Sequence, residues 1–228
     1  MIARAQFEPG PYCVSSTVRQ YQLSFAYFKS NLITLNSPVF PMLEAAACDK
    51  RKREFMAGRL CAQRALQDIG IHDSQVQVAK DRSPVWPKGI IGSISHTDAF
   101  AAAAVVSLTA LRSIGVDSER MVEDWLVDVI RRECLTTTED TYLQYCSNSC
   151  DIRVLSTLFF SAKESVWKAM YPLTKELFEF RDVEICAFNF SAGLFRVRPV
   201  SAIGNSCVAG FGRFRLSGSF VHTSFELK

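Results

Sequence analysis

Three carboxylates and two lysines, on two short segments, are the residues of this chain best suited to chemistry. The first segment reads Ile114-Gly115-Val116-Asp117-Ser118-Glu119, and the second Phe160-Ser161-Ala162-Lys163-Glu164-Ser165-Val166-Trp167-Lys168-Ala169. Asp117 and Glu119 are two apart, and on a strand such residues point to the same face. Hard oxygen ligands of this kind suit magnesium, which takes one or two protein carboxylates together with substrate phosphate oxygens and water. Glu164 and Lys168 are four apart and share one face of a helix. Their neighbours Phe159, Phe160, Val166, Trp167 and Met170 are bulky and apolar. The helix is therefore expected to be largely buried, and a charged stripe on a buried helix calls for a partner or a ligand. Neither segment is informative alone. A D-x-E pair is common on solvated strand edges, and an exposed i,i+4 ion pair contributes only roughly 0.3–0.5 kcal/mol. Together they point to a cation held by Asp117, Glu119 and Glu164, and to magnesium-assisted transfer of a phosphate-bearing group.

A second set of residues has the chemistry for phosphate. Gly92-Ser93-Ile94-Ser95-His96 closes a strand, which places Ser95 and His96 where strand passes into turn. The imidazole of His96 could donate to a phosphate oxygen, although a lone histidine is more often structural. Lys50-Arg51-Lys52-Arg53-Glu54 is a basic run, and Arg51 and Arg59 recur at helical spacing so as to share one side. Arginine is the better bidentate phosphate ligand. Lys80 and Arg82 would add to the same positive field from a loop. There is no glycine-rich P-loop and no GxGxxG fingerprint, so no ordinary nucleotide fold is indicated.

The elements that must position these residues follow from periodicity and punctuation. Gln20 to Phe28 alternates as a strand. Leu43 to Ile69 reads as a long helix with Phe55, Cys61, Ala62, Ala65, Leu66 and Ile69 on its apolar side, stopped by Gly70. Gln75 to Ala79 reads as a strand and residues 80–89 as a loop. Ile90–Ser95 and Phe100–Val106 read as paired strands, and Ser113–Asp117 as another. Val122 to Cys134 is a helix candidate, with Met121, Trp125 and Leu126 read as core and a docking surface as the alternative. Thr136-Thr137-Thr138-Glu139 is a helix start. Leu155 to Met170 is the strongest helix, ended by Pro172. From Arg181 onward three or four antiparallel strands are expected. The fold class is α+β, a mixed α/β architecture.

Composition sets the limits. The chain has 228 residues, 48% of them hydrophobic, and a net charge of +3. That is one large domain or two small ones with a sizeable core. The charge is too small to argue for nucleic acid; it fits a phosphate-rich ligand or an acidic partner. Eight cysteines stand without a CxxC pair and only three histidines are present, so a zinc site is not expected. The N-terminus has no apolar h-region, so the cysteines are expected to be reduced and mostly buried in a cytoplasmic protein. The apolar run Ala99–Leu111 is too short to span a bilayer.

Four segments together resemble the Sfp-type 4′-phosphopantetheinyl transferases, in particular the enterobactin synthase component D branch. They are Lys52-Arg53-Glu54-Phe55-Met56-Ala57-Gly58-Arg59; Pro84-Val85-Trp86-Pro87 leading into Gly92-Ser93-Ile94-Ser95-His96; Ile114 to Glu119; and Phe160 to Ala169. Tyr171-Pro172-Leu173-Thr174 extends the likeness, which covers residues of about 45 to 185. The resemblance implies two similar α/β subdomains related by a pseudo-twofold axis, 1–112 and 113–228, with coenzyme A in a cleft between them. It implies transfer of the phosphopantetheine arm of coenzyme A to a serine of an apo carrier protein, releasing adenosine 3′,5′-bisphosphate. Asp117, Glu119 and Glu164 would hold magnesium, with Ser118 standing where some relatives carry an acid. Glu164 would be the base, directly or through a metal-bound water, and Lys168 would stabilise or protonate the leaving group. His96 and Lys163 would contact phosphate oxygens, beside Ser95. Arg51, Arg59, Lys80 and Arg82 would grip the 3′-phosphate and adenine end. The expected partners are acidic carrier domains of siderophore or other non-ribosomal peptide synthesis, with no nucleic acid, and a monomer is the default. A magnesium-dependent phosphohydrolase, or a coenzyme A- or carrier-binding module without turnover, are the competing readings.

Overall fold

A computed structural model describes residues 7–26, 48–72, 75–176, 178–200 and 209–228. The described chain divides into two compact units. One holds the residues up to Pro11 and from Ser15 to Leu111; the other holds Tyr12–Val14 and Arg112–Lys228.

In the first unit, strands β1 (Glu8–Pro9), β2 (Arg19–Ser24), β5 (Ile90–His96) and β6 (Phe100–Ser107) form an antiparallel sheet in the order β1-β2-β6-β5. Helix α1 (Asp49–Gln67) lies on it. The short strands β3 (Gln77–Val78) and β4 (Pro84–Val85) form a separate hairpin. Small residues let helix and sheet approach closely. Ala101 and Ala103 of β6 face Ala57, Cys61, Ala62 and Ala65 in one core, and a Cβ on Gly58 would come within 2.7 Å of Ile94. The described helix starts at Asp49, with Cys48 in extended backbone as its N-cap. Residues 43–47 of the expected helix, and 27 and 28 of the expected strand, lie outside the described residues. Gly70 does end the helix. It takes a positive φ of 83°, and the following Ile71 N–H reaches back to the Leu66 carbonyl at 3.0 Å, closing the last turn.

In the second unit, β7 (Ser113–Arg120), β8 (Val183–Asn189), β9 (Leu194–Pro199), β10 (Gly210–Ser217) and β11 (Phe220–Leu227) form an antiparallel sheet in the order β7-β11-β10-β9-β8. Three helices join it: α2 (Asp124–Cys134), α3 (Thr137–Cys146) and α4 (Ile152–Thr174). Thr136 and Glu139 cap α3 reciprocally, each side chain taking the other's backbone N–H, as the sequence predicts. Helix α4 packs against β7 and β11, and Phe159, Ala162, Val166 and Ala169 anchor it in the core. Each unit thus packs helix against an antiparallel sheet, the α+β class expected.

Three expectations are corrected. Pro172 does not stop α4, which continues to Thr174 and ends at Lys175 with φ 55°. In the last turn proline removes only the bond to the Lys168 carbonyl, and carbonyls there are ending their ladder anyway. Trp125 is not core: it is 70% exposed on α2. Nor are the cysteines mostly buried, since Cys61 and Cys134 are buried but Cys13 and Cys48 are exposed, all of them unbridged among the described residues. Among the described residues no helix is long and apolar enough to cross a membrane.

Candidate active site

Strand alternation and one glycine build the site in the second unit. Ser113, Gly115, Asp117 and Glu119 all leave β7 on the face that α4 covers. Gly115 is where the two backbones touch, since a Cβ there would lie 1.9 Å from the Ser165 carbonyl oxygen. One turn along, Ser113 Oγ donates to the Ala169 carbonyl at 2.5 Å. This close seating sets the face of α4 that carries Glu164 and Lys168 above the carboxylates of the strand. Lys168 Nζ lies 2.5 Å from Asp117 Oδ1 and 3.9 Å from Glu164 Oε2. Asp117 is 1% exposed, while Glu164 and Lys168 keep about a quarter of their side chains open.

The electrostatics show a surplus of negative charge. Burial, then the charge of Asp117, push the Glu119 carboxyl up to about 8, with Lys168 opposing and Glu164 adding. Burial also raises Glu164; Lys168 pulls it down and Asp117 pushes it up again. Burial works against the Lys168 ammonium, but Asp117 and Glu164 outweigh it and hold its pKa above the usual lysine value. Three carboxylates around one ammonium are therefore short of positive charge, and a hard divalent cation would supply it. The donor set fits magnesium in kind and charge. Even so, among the described residues no three His, Cys, Asp or Glu side chains are already gathered as a metal cage. Lys168 sits on Asp117, where a metal ion would compete with it.

Lys163 is placed differently from its expected role. It is fully buried, its ammonium 2.7 Å from Glu139 Oε2, and it donates to the Phe180 and Val183 carbonyls at 2.6 and 2.7 Å. With three acceptors and no exposure it is a structural pin between α4, α3 and the start of β8, and not a phosphate contact.

The basic residues lie in the first unit. Arg51 Nη1 is 3.1 Å from His96 Nε2, so the end of β5 and the first turns of α1 do meet. Glu54, absent from the expected site residues, sits at the centre: Lys50, Arg51 and His96 lie within 3.8–3.9 Å of its nearly buried carboxylate. The signal for it was the i, i+3 and i, i+4 spacing from Arg51 and Lys50. Arg59 stacks over Phe55 at 4.5 Å and donates to the Val76 carbonyl at 3.2 Å. Burial, with the charge of Arg51, pulls its pKa down to about 10. Ser95 is buried on the face of β5 opposite to His96. Lys80 and Arg82 are exposed in the turn between β3 and β4, where Arg82 takes a φ of 66°.

Comparison with known proteins identifies the family. The model of the 4′-phosphopantetheinyl transferase N-terminal domain matches residues 41–106, and that of the 4′-phosphopantetheinyl transferase superfamily matches residues 113–208. The chain is 34% identical to the 4′-phosphopantetheinyl transferase Npt of Nocardia iowensis over 65% of its own length and 64% of that protein. It is 33% identical to the 4′-phosphopantetheinyl transferase Svp of Streptomyces mobaraensis over 80% and 75%. It is 38% identical to the enterobactin synthase component D of Salmonella typhi over 53% and 48%. The matched stretch thus spans between about half and three quarters of these relatives. With both halves of the family pattern present in order, and the carboxylate and lysine segments inside the second, the chain belongs to the 4′-phosphopantetheinyl transferase superfamily.

Proposed function

We propose that this protein transfers the 4′-phosphopantetheine arm of coenzyme A to a serine hydroxyl of an apo carrier protein, with magnesium, releasing adenosine 3′,5′-bisphosphate. The observation that carries the proposal is the convergence of Asp117, Glu119, Glu164 and Lys168 across β7 and α4. In the reaction the serine oxygen bonds to the phosphorus bearing pantetheine, and the bond from that phosphorus to the bridging pyrophosphate oxygen breaks. The serine proton goes to Glu164, whose side chain keeps about a quarter of its surface open to solvent. Lys168 stays cationic and compensates charge on the departing phosphate. Asp117, Glu119 and Glu164 would hold the magnesium, which supplies charge neutralisation at the pyrophosphate. A serine hydroxyl is a weak nucleophile, so positioning contributes more than base strength. In the first unit Arg51, Arg59, Lys80 and Arg82 are assigned to the 3′-phosphate and adenine end of coenzyme A, and His96, next to Ser95 in the chain, to its phosphate oxygens. The likeness to enterobactin synthase components supports carrier domains of siderophore or other non-ribosomal peptide synthesis as the acceptors.

The test is to follow adenosine 3′,5′-bisphosphate by chromatography in mixtures of protein, coenzyme A and magnesium, with and without apo carrier. The transferase reading predicts release only when carrier is present. Release of the same amount without carrier would make the protein a phosphohydrolase.

A further inference from the structure

Strand β7 bears two of the three carboxylates and is an edge strand, laddered to β11 alone among the described residues. It ends at Arg120, one residue beyond Glu119. Backbone pairing therefore holds the carboxylates from one side only, and near a strand terminus. The face of β7 turned away from α4 carries a second restraint. Ser118 lies between Asp117 and Glu119, so its hydroxyl leaves on that opposite face. There it is fully buried, with Tyr12 and His222 almost so. Ser118 and His222 are register partners across β7 and β11. Ser118 Oγ donates to Tyr12 Oη at 3.1 Å and lies 2.9 Å from His222 Nδ1. With the serine proton directed to Tyr12, the imidazole must present Nδ1–H to the serine oxygen. The group is wedged in place. Tyr12 meets the imidazole edge-on at 6.2 Å, Phe220 stacks on it, and Ser224 Oγ holds the Cys13 carbonyl at 2.8 Å.

We propose that Tyr12, Ser118 and His222 are positioning residues for the Asp117–Glu119 pair. A turn about the backbone of Ser118 would sweep both flanking carboxylates, so locking that one residue fixes both against α4. The inference rests on the metal reading given above. The segment Tyr12–Val14 is the only described part of the chain before Arg112 that belongs to the second unit, and the clamp gives it a task there.

The test is direct binding of manganese, as a magnesium surrogate, to the full chain without coenzyme A. Loss of the free Mn²⁺ signal in electron paramagnetic resonance reports it. Wild type is compared with Tyr12→Phe, Ser118→Ala, His222→Gln and Ser224→Ala, each checked for a native fold by near-ultraviolet circular dichroism. Groups that orient metal ligands typically change affinity by about 10–100-fold. Ser118→Ala and His222→Gln are expected to bind about tenfold more weakly or worse, and Tyr12→Phe to shift in the same direction. Ser224→Ala, which loosens the same segment without touching Ser118, is expected to bind as wild type does. If Ser118→Ala fails to fold, Tyr12→Phe, which removes a single hydroxyl, carries the test. Unchanged affinity in the folded variants, or an equal loss in Ser224→Ala, overturns the clamp alone. Absence of manganese binding in wild type overturns the clamp, and its absence with coenzyme A added overturns the metal reading as well.

Discussion

Lys163 and Lys168 stand on the same helix with opposite surroundings. Lys168 reaches out to Asp117 and Glu164; Lys163 points inward to Glu139 and two carbonyls. Helical geometry already separates them: five residues of about 100° each place them roughly 140° apart. The four-residue spacing that pairs Glu164 with Lys168 thus argues against Lys163 at the same site. Two predictions belong to this scale. Lys163→Met leaves Glu139 buried and uncompensated, so urea unfolding should show a loss of about 3–5 kcal/mol, partly recovered by adding Glu139→Gln. Lys168→Ala also strands the buried Asp117, but its site is partly open to water, so it should cost less stability than Lys163→Met and lower the transfer rate about 10²-fold or more, measured as carrier modified per unit time. An equal loss of stability in both variants would contradict the division of labour.

At the scale of elements, the site depends on how closely α4 seats on β7. Gly115 permits that seating, and Gly115→Ala should push the helix off the strand. The expected cost is about 1–3 kcal/mol in chemical denaturation, with transfer activity falling further than the stability loss explains. An active variant of wild-type stability would show that the close contact is dispensable. Much of this layer was legible beforehand. The threonine cap and Glu139 marked α3, the apolar period marked α4, and alternation marked β5, β6 and β7. What was not legible follows from the physics of each case. Pro172 sits where the helix has few bonds left to lose, so it did not act as a stop. Trp125 lies on a helix whose apolar residues suggested core, yet it is exposed, because α2 buries Val127 and Ile130 on a different side. The pairing of β7 with β11 joins Ser118 to His222, 104 residues away, and no local pattern encodes a contact of that range. Nor does local pattern place Tyr12 against Ser118.

At the scale of the molecule, the buried histidine makes stability depend on pH. Burial, then the charge of Arg215 across the β10–β11 pair, lower His222 to about 4, with Asp117 opposing. The folded pKa lies below the unfolded value of about 6.5, so the unfolded chain binds more protons between pH 4 and 6.5. The His222 contribution is complete above about pH 6.5 and is lost as pH falls toward 4. The raised carboxyls of Glu119 and Glu164 act in the other direction as pH rises, so the component is read as a difference. Between pH 7 and 5, wild type should lose about 2 kcal/mol more than His222→Gln in denaturant titrations, and equal slopes would contradict the assignment. The central claim, however, is that the four charged residues on β7 and α4 serve group transfer to a protein. Intact-mass spectrometry of an apo peptidyl carrier protein, incubated with this protein, coenzyme A and magnesium, tests it most directly. The account predicts a gain of one phosphopantetheine per carrier, abolished by chelation and by Glu164→Gln. An unmodified carrier with wild-type protein, or full modification by Glu164→Gln, would contradict it.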